Sequence, residues 1–178
     1  KLFMKIFKSS NIPNNYKNAV LAIGNFDGLH KGHKKVFREA KRLSKKLKLK
    51  FGILTFNPLP VMYFNKKIKN FRINNDEQKE EQIKKLGVDF LINQKFNYNF
   101  SKKNSDFFIK KIIKKKINPK FLFVSNNFRF GHNRQGNVFQ LRSSGKTLGF
   151  KLIITTPFKY KKKIVSSTLV RNLLISGK

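Results

Sequence analysis

The strongest constraint on this chain is an alternation. Short apolar runs stop at glycine, proline or asparagine, and each is followed by a stretch whose apolar residues recur at helical spacing. Ala19 to Gly24 is the first clear run, and Val36, Ala40, Leu43 and Leu47 after it share one helical face. Phe51 to Phe56 is the next run; Asn57, Pro58 and Pro60 end it, because proline lacks the backbone donor that a sheet needs. Asp76 to Leu86 has acids near its start, Lys84 and Lys85 near its end and Gly87 beyond, the charge order that a helix dipole favours. Asp89 to Ile92 reads as a third strand. Ser105 to Lys116 follows as a helix with two rows, Phe108 with Ile112 and Ile109 with Ile113. Phe121 to Val124 is a fourth strand, Asn126 to Asn137 a polar, glycine-containing loop, Val138 to Leu148 a helix and Leu152 to Thr155 a fifth strand. Ser167 onward is helical again, after a basic, exposed stretch from Lys159 to Lys163. Strands that alternate with helices need crossover connections, which place helices on both faces of a mainly parallel sheet. The expected fold is therefore α/β, a Rossmann-like parallel sheet in one domain over residues 1–178, with no internal repeat and no dividing linker. Ligands of such sheets sit beyond the carboxyl ends of the strands, so the loops after strands are where chemistry is expected.

Composition narrows the setting. The chain has no cysteine, which excludes disulfides and cysteine-based zinc sites and fits a reducing, cytoplasmic compartment. No apolar stretch approaches the ~20 residues of a membrane span, and Lys1 to Phe7 is too short for a signal-peptide core. The net charge of +33, from 41 Lys and Arg against 8 Asp and Glu, would attract any polyanion. The lysines are spread through nearly every segment and accompany an excess of Asn, Ile and Phe, residues that share AT-rich codons. Genome base composition accounts for such a pattern, and a nucleic-acid partner is not expected.

One loop concentrates the chemistry. Gly24-Asn25-Phe26-Asp27-Gly28-Leu29-His30-Lys31-Gly32-His33 follows a predicted strand, opens a predicted helix and holds two of the three histidines and three of the ten glycines. Glycines let backbone approach a phosphate, and a helix N-terminus offers unpaired amides at the positive end of its dipole. His30 and His33 can add hydrogen bonds to a phosphate as charge builds on it. Asp27 can orient a histidine or lysine, hold a cation through water, or cap the turn.

The loop resembles the His-x-Gly-His signature of the adenylyl and cytidylyl transferases, and in its longer form the FMN adenylyltransferase module of bacterial FAD synthetases. Three further segments are similar to that family in the right order. Thr55-Phe56-Asn57-Pro58-Leu59-Pro60 resembles its Thr-Phe-x-Pro-x-Pro loop, Asn127-Phe128-Arg129-Phe130-Gly131 its flap, and Ser166-Ser167-Thr168-Leu169-Val170-Arg171 its Ser-Ser-Thr-x-x-Arg motif. The resemblance implies transfer of AMP from ATP to FMN, giving FAD and pyrophosphate in one direct displacement assisted by Mg²⁺. It implies His30, His33 and Arg171 as catalytic residues. ATP would be bound by Gly24 and Phe26 through backbone, by both histidines, and by Ser167, Thr168 and Arg171. Pro58, Pro60, Phe64, Asn127 and Phe130 would bind FMN, with Phe128 and Phe130 serving either as core anchors or as flavin neighbours. Direct metal ligands are not implied.

Two departures stand out. Ser125 occupies a position where the family has glycine, which predicts a strained or reshaped turn before the flap. The family's bifunctional enzymes continue into a riboflavin kinase module, whereas this sequence reaches Lys178 directly after the last motif and carries no kinase signature. The expectation is a module, free-standing or covalently continued, that does not itself phosphorylate riboflavin. Two other functions compete: adenylyl transfer to nicotinate mononucleotide or phosphopantetheine, against which the proline loop and flap argue, and a basic nucleic-acid-binding module with phenylalanines stacked on bases.

Overall fold

The computed structural model describes residues 3–65, 72–160 and 163–177. Six strands form one parallel sheet: β1 (Lys5–Phe7), β2 (Val20–Ile23), β3 (Phe51–Asn57), β4 (Phe90–Lys95), β5 (Phe121–Ser125) and β6 (Lys151–Thr155), in the order β1-β4-β3-β2-β5-β6. Helix α1 (Lys31–Lys46) joins β2 to β3. The short α2 (Pro60–Phe64) and then α3 (Asp76–Lys85) lie between β3 and β4. Between β4 and β5 come α4 (Tyr98–Ser101) and α5 (Ser105–Phe107), which runs on through π-helical turns Phe108–Ile117. Helix α6 (Val138–Leu148) precedes β6, and a small antiparallel pair, β7 (Lys159–Tyr160) with β8 (Lys163–Ile164), precedes α7 (Ser167–Ile175).

The strands are almost wholly apolar because both faces of the sheet are covered. Val20, Ala22, Phe51, Ile53, Leu91 and Phe123 pack with Phe37 and Ala40 of α1 and Ile83 of α3 on one side. Leu21, Ile23, Leu54, Ile92, Leu122 and Val124 pack on the other with Phe108, Ile109, Ile112, Ile113 and Leu141. The alternation along β2, with Val20 and Ala22 on one face and Leu21 and Ile23 on the other, is the period of two that a strand imposes.

The five strands expected from sequence are present, with no end shifted by more than three residues. Asn75 and Gln78 form a capping box at the start of α3, and the acids and lysines at its two ends lie as the dipole favours. The expected i,i+4 rows of Ser105 to Lys116 are buried as anticipated, but the winding widens to π over Phe108–Ile117 and closes with the Asn118 amide donating to Ile113 O at 2.7 Å. Sequence reasoning missed β1, an edge strand of three residues whose lysine-rich alternation carries no strong signal and which pairs with β4. The basic stretch Lys159 to Lys163 was expected as exposed chain between the last strand and the last helix. Its ends are β7 and β8, exposed as expected at Lys159 and Tyr160, while Lys161 and Lys162 lie outside the described residues, as do Lys1 and Leu2 of the opening run. Among the described residues no helix is long and apolar enough to cross a membrane.

The strand order reverses at β2. From it the chain moves outward through β3 and β4, and β5 then returns to the opposite side of β2. The carboxyl ends of β2, β3 and β5, carrying the histidine, proline and flap loops, are thus brought side by side.

Candidate active site

Residues 24–30 lead from β2 into α1 along a constrained path. The Gly24 amide still donates to Leu54 O at 3.1 Å, extending the pairing with β3 one step. Phe26 and Leu29 then adopt left-handed backbone angles, φ 48° and 34°, uncommon for residues with large side chains. Both side chains are buried, and Phe26 packs edge-on against Phe37 with ring centroids 4.7 Å apart, so core packing holds the strain. A Cβ on Gly32 would lie 3.0 Å from the His30 ring and 3.3 Å from Val165 O, so glycine lets these groups close over the first turn of α1. His30 is the N-cap in extended conformation and its side chain makes no capping bond, leaving the first-turn amides without a side-chain acceptor.

The two histidines stack, with ring centroids 3.7 Å apart and planes inclined by 22°, and Phe26 meets His33 edge-on at 5.3 Å. The Nδ1 atoms of both rings are buried and unpartnered. Burial, then the neighbouring His30 and Lys79, lower the pKa of His33 to about 3. Burial also lowers that of His30, with Asp27 opposing it. Near neutral pH both rings are uncharged, each able to donate one hydrogen bond and accept another.

Asp27 joins the first motif to the last. Its carboxylate accepts from the Ile73 amide at 3.0 Å and from Arg171 Nη1 at 3.2 Å, while its carbonyl accepts from Ser167 Oγ at 2.9 Å. Of the uses open to Asp27, the structure shows it holding an arginine and two chain segments. Ser166 caps α7 by accepting from the Leu169 amide at 3.2 Å, so the ordinary N-cap and the tether to the histidine loop coexist in adjacent serines. Thr168 is exposed.

The structure gathers Gly24, Phe26, Asp27, His30, His33, Ser167 and Arg171 into one cluster. The other expected site residues flank it. Pro58 follows β3 through a cis peptide bond, Pro60 opens α2, and Phe64, 67% exposed, leans edge-on against Tyr63 and Phe96. On the far side of β2, Asn127 is exposed and its Oδ1 accepts from Ser125 Oγ at 2.8 Å. A continuous aromatic path links the two flanks: Phe64, Phe96, Phe56, Phe108, Phe130 and Phe128 each contact the next at centroid distances of 5.2–6.5 Å. Within it Phe130 is buried and belongs to the core, which favours the anchor role for that ring. The strain expected at Ser125 is absent. It ends β5, is not among the described residues with positive φ, and its hydroxyl and carbonyl organise the turn by bonding Asn127 and the Phe128 amide.

Lys79 escaped the sequence reading. On α3 it stands four and seven residues before Ile83 and Leu86, in the apolar stripe, and it is buried. A lysine within such a stripe was the available signal. Its Nζ donates to Thr55 Oγ1 at 2.7 Å, and Thr55 Oγ1 donates to Asn25 O at 3.1 Å. Beside it Arg72, which pairs with Asp76, donates to Asn57 Oδ1, and Asn57 Nδ2 donates to Asp76 at 3.0 Å.

The donor set does not form a resident metal centre: among the described residues no three His, Asp or Glu side chains cluster, and the oxygens of Asp27 are engaged. The arrangement can receive a polyphosphate against the α1 amides, the neutral imidazoles and the Arg171 guanidinium.

Comparison with known proteins identifies relatives. A family model described as FAD synthetase matches residues 12–169. The bifunctional riboflavin kinase/FMN adenylyltransferase of Buchnera aphidicola subsp. Schizaphis graminum is 35% identical over 162 residues, covering 90% of this chain and 52% of that protein. Its namesake from Escherichia coli K12 is 31% identical over 174 residues, 98% of this chain and 55% of that one. The chain thus spans about half the length of these curated relatives. Among solved structures, a Streptococcus pneumoniae protein described as a macrolide-efflux protein superposes with a TM-score of 0.83 at 25% identity, over 99% of this chain and 59% of that one. A pantoate-beta-alanine ligase from Francisella tularensis, with a TM-score of 0.59 at 14% identity over 95% of this chain and 73% of that one, shares the fold.

Proposed function

Because the chain belongs to the FAD synthetase family, we propose that it transfers AMP from ATP to FMN, releasing FAD and pyrophosphate. The observation that carries this reading is the stacked His30–His33 pair at the opening of α1, tied through Asp27 to Ser167 and Arg171. A phosphate oxygen of FMN attacks the α-phosphorus of ATP; the bond from that phosphorus to the oxygen bridging to the β-phosphate breaks, and the electron pair leaves with pyrophosphate. A phosphate monoester is already nucleophilic at neutral pH, so the protein's task is alignment and charge neutralisation.

The imidazoles and the α1 amides donate to the α-phosphate, where negative charge accumulates. Arg171, Ser167 and Thr168, at the start of α7, meet the β- and γ-phosphates of the leaving pyrophosphate, the guanidinium offering a fork of donors. Gly24 and Phe26 supply backbone around the nucleotide. Pro58, Pro60 and Phe64 offer the flat apolar wall that suits a flavin ring, with Asn127 at the opposite flank, where the buried Phe130 anchors the flap rather than touching the flavin. An ATP-using family calls for a divalent cation. We take it to be Mg²⁺, carried in on the nucleotide's phosphates. The reaction belongs to one domain over residues 1–178 in the cytoplasm, and continuation of the chain into a riboflavin kinase domain accords with the length of the relatives.

Incubation of the protein with FMN, ATP and Mg²⁺, followed by separation of FAD and pyrophosphate, tests the reading, with His33→Ala as control. FAD from the parent and none from the variant is the expected result. A parent that adenylylates nicotinate mononucleotide or phosphopantetheine in preference to FMN would overturn the acceptor assignment.

A further inference from the structure

We propose that Lys79 is a positioning residue for the histidine loop, acting through Thr55: its ammonium holds the Thr55 hydroxyl, which in turn holds the Asn25 carbonyl. This rests on the adenylyl-transfer reading above and adds to it a side chain on α3, remote in sequence from every motif considered so far.

The geometry is specific. Lys79 is 7% exposed and Thr55 1%, and the hydroxyl between them has one partner on each side, Lys79 Nζ at 2.7 Å and Asn25 O at 3.1 Å. An ammonium can only donate, so Thr55 must accept from Lys79, which turns its own proton toward the carbonyl. The hydroxyl of a neutral lysine amine pair has no such fixed direction. The charge therefore orients the relay, and the relay fixes the Asn25–Phe26 peptide, where the chain leaves β2 for the strained path to His30. A buried lysine whose one hydrogen bond among the described residues is to a neutral hydroxyl is costly to the fold, and such cost concentrates at functional sites. The environment is mixed: burial and then Arg72 disfavour the charge, while Asp76, Asp27 and Glu80 favour it, and the pKa is lowered to about 8. Near neutral pH the ammonium persists. It also acts on His33, whose ring it helps keep unprotonated, alongside His30.

A double-mutant cycle of Lys79→Met, Thr55→Val and the double variant tests the inference, with Lys79→Arg as the conservative replacement. FAD formation gives kcat and KM for each substrate, and the NMR shift of the Phe26 backbone amide is read without substrate. Each single variant is expected to raise KM for ATP by about 10-fold, with a smaller effect on KM for FMN, because the relay holds the nucleotide-side loop. The double variant should lie within about 2-fold of the poorer single one, since both remove the same relay. Lys79→Arg should recover part of the loss. Additive losses, equal changes in both KM values, or wild-type kinetics from folded Lys79→Met would each overturn the inference. If the parent forms no FAD, the functional reading fails and the relay is judged on the amide resonance alone. There the Phe26 amide, whose nitrogen shares a peptide with the Asn25 carbonyl, must shift alike in Lys79→Met and Thr55→Val, and an unshifted resonance in either would refute the relay.

Discussion

Replacing Asp27 with alanine should damage both stability and nucleotide binding, by an amount the geometry allows to be worked out. The side chain of Asp27 is 6% exposed and that of Arg171 18%. Removing one partner of a buried ion pair costs about 3–5 kcal/mol, and because Arg171 keeps some access to water the lower end applies. The Ile73 amide also loses its acceptor, so a total of roughly 3–4 kcal/mol is expected. For a chain of this size that corresponds to a fall in Tm of roughly 10 °C. Asp27→Asn keeps one oxygen for one partner and loses the charge, so about half that loss is expected. Thermal and urea unfolding followed by circular dichroism measure the first effect. Calorimetric titration with ATP measures the second, where loosening of Arg171 on α7 should weaken binding by about 10-fold. A loss under about 1 kcal/mol, or an asparagine variant as stable as the parent, would refute the claim that this carboxylate ties α7 to the histidine loop.

Acid should destabilise the protein in part through His33. Its folded pKa of about 3 lies below the ordinary 6.5, so between those values the unfolded chain binds a proton that the folded chain does not. Stability is then full above about pH 6.5 and falls as pH drops toward 3, with a limiting slope of ~1.4 kcal/mol per pH unit from this group. Urea melts of parent and His33→Gln across this range should show a shallower acid loss in the variant; identical slopes would contradict the burial argument. Gly32→Ala should separate stability from activity. Alanine gains about 1 kcal/mol in helix propensity, which the tight contacts with the His30 ring and Val165 O offset, so Tm should change little. The displaced His30 ring should lower kcat about 10-fold or more, and an unchanged kcat would argue against His30 contacting the reacting phosphate.

Much of the molecule was legible residue by residue. The strand runs and helical faces were read from spacing, the start of α3 from its charges, and the histidine loop from the density of Gly and His between a strand and a helix. What escaped had weak local signals. β1 has three residues and gains its place only by pairing with β4, and β7 and β8 have two each. Of the two outcomes expected at Ser125, a strained or a reshaped turn, strain is absent, because its hydroxyl bonds Asn127 and its φ is not positive.

The sequence by itself determined the elements, their alternation and therefore the fold class, because periodicity, caps and turn residues act between neighbours a few positions apart. It also carried the motifs, since a phosphate-binding loop is built from contiguous backbone. Only the tertiary structure decided which motifs meet. Asp27 reaches Arg171 across 144 positions and Lys79 reaches Thr55 across 24, contacts that exist because β2 lies between β3 and β5 and α3 packs over one face of the sheet. Such pairings follow from burying two faces of one sheet at once, a condition on the whole chain that no local window contains.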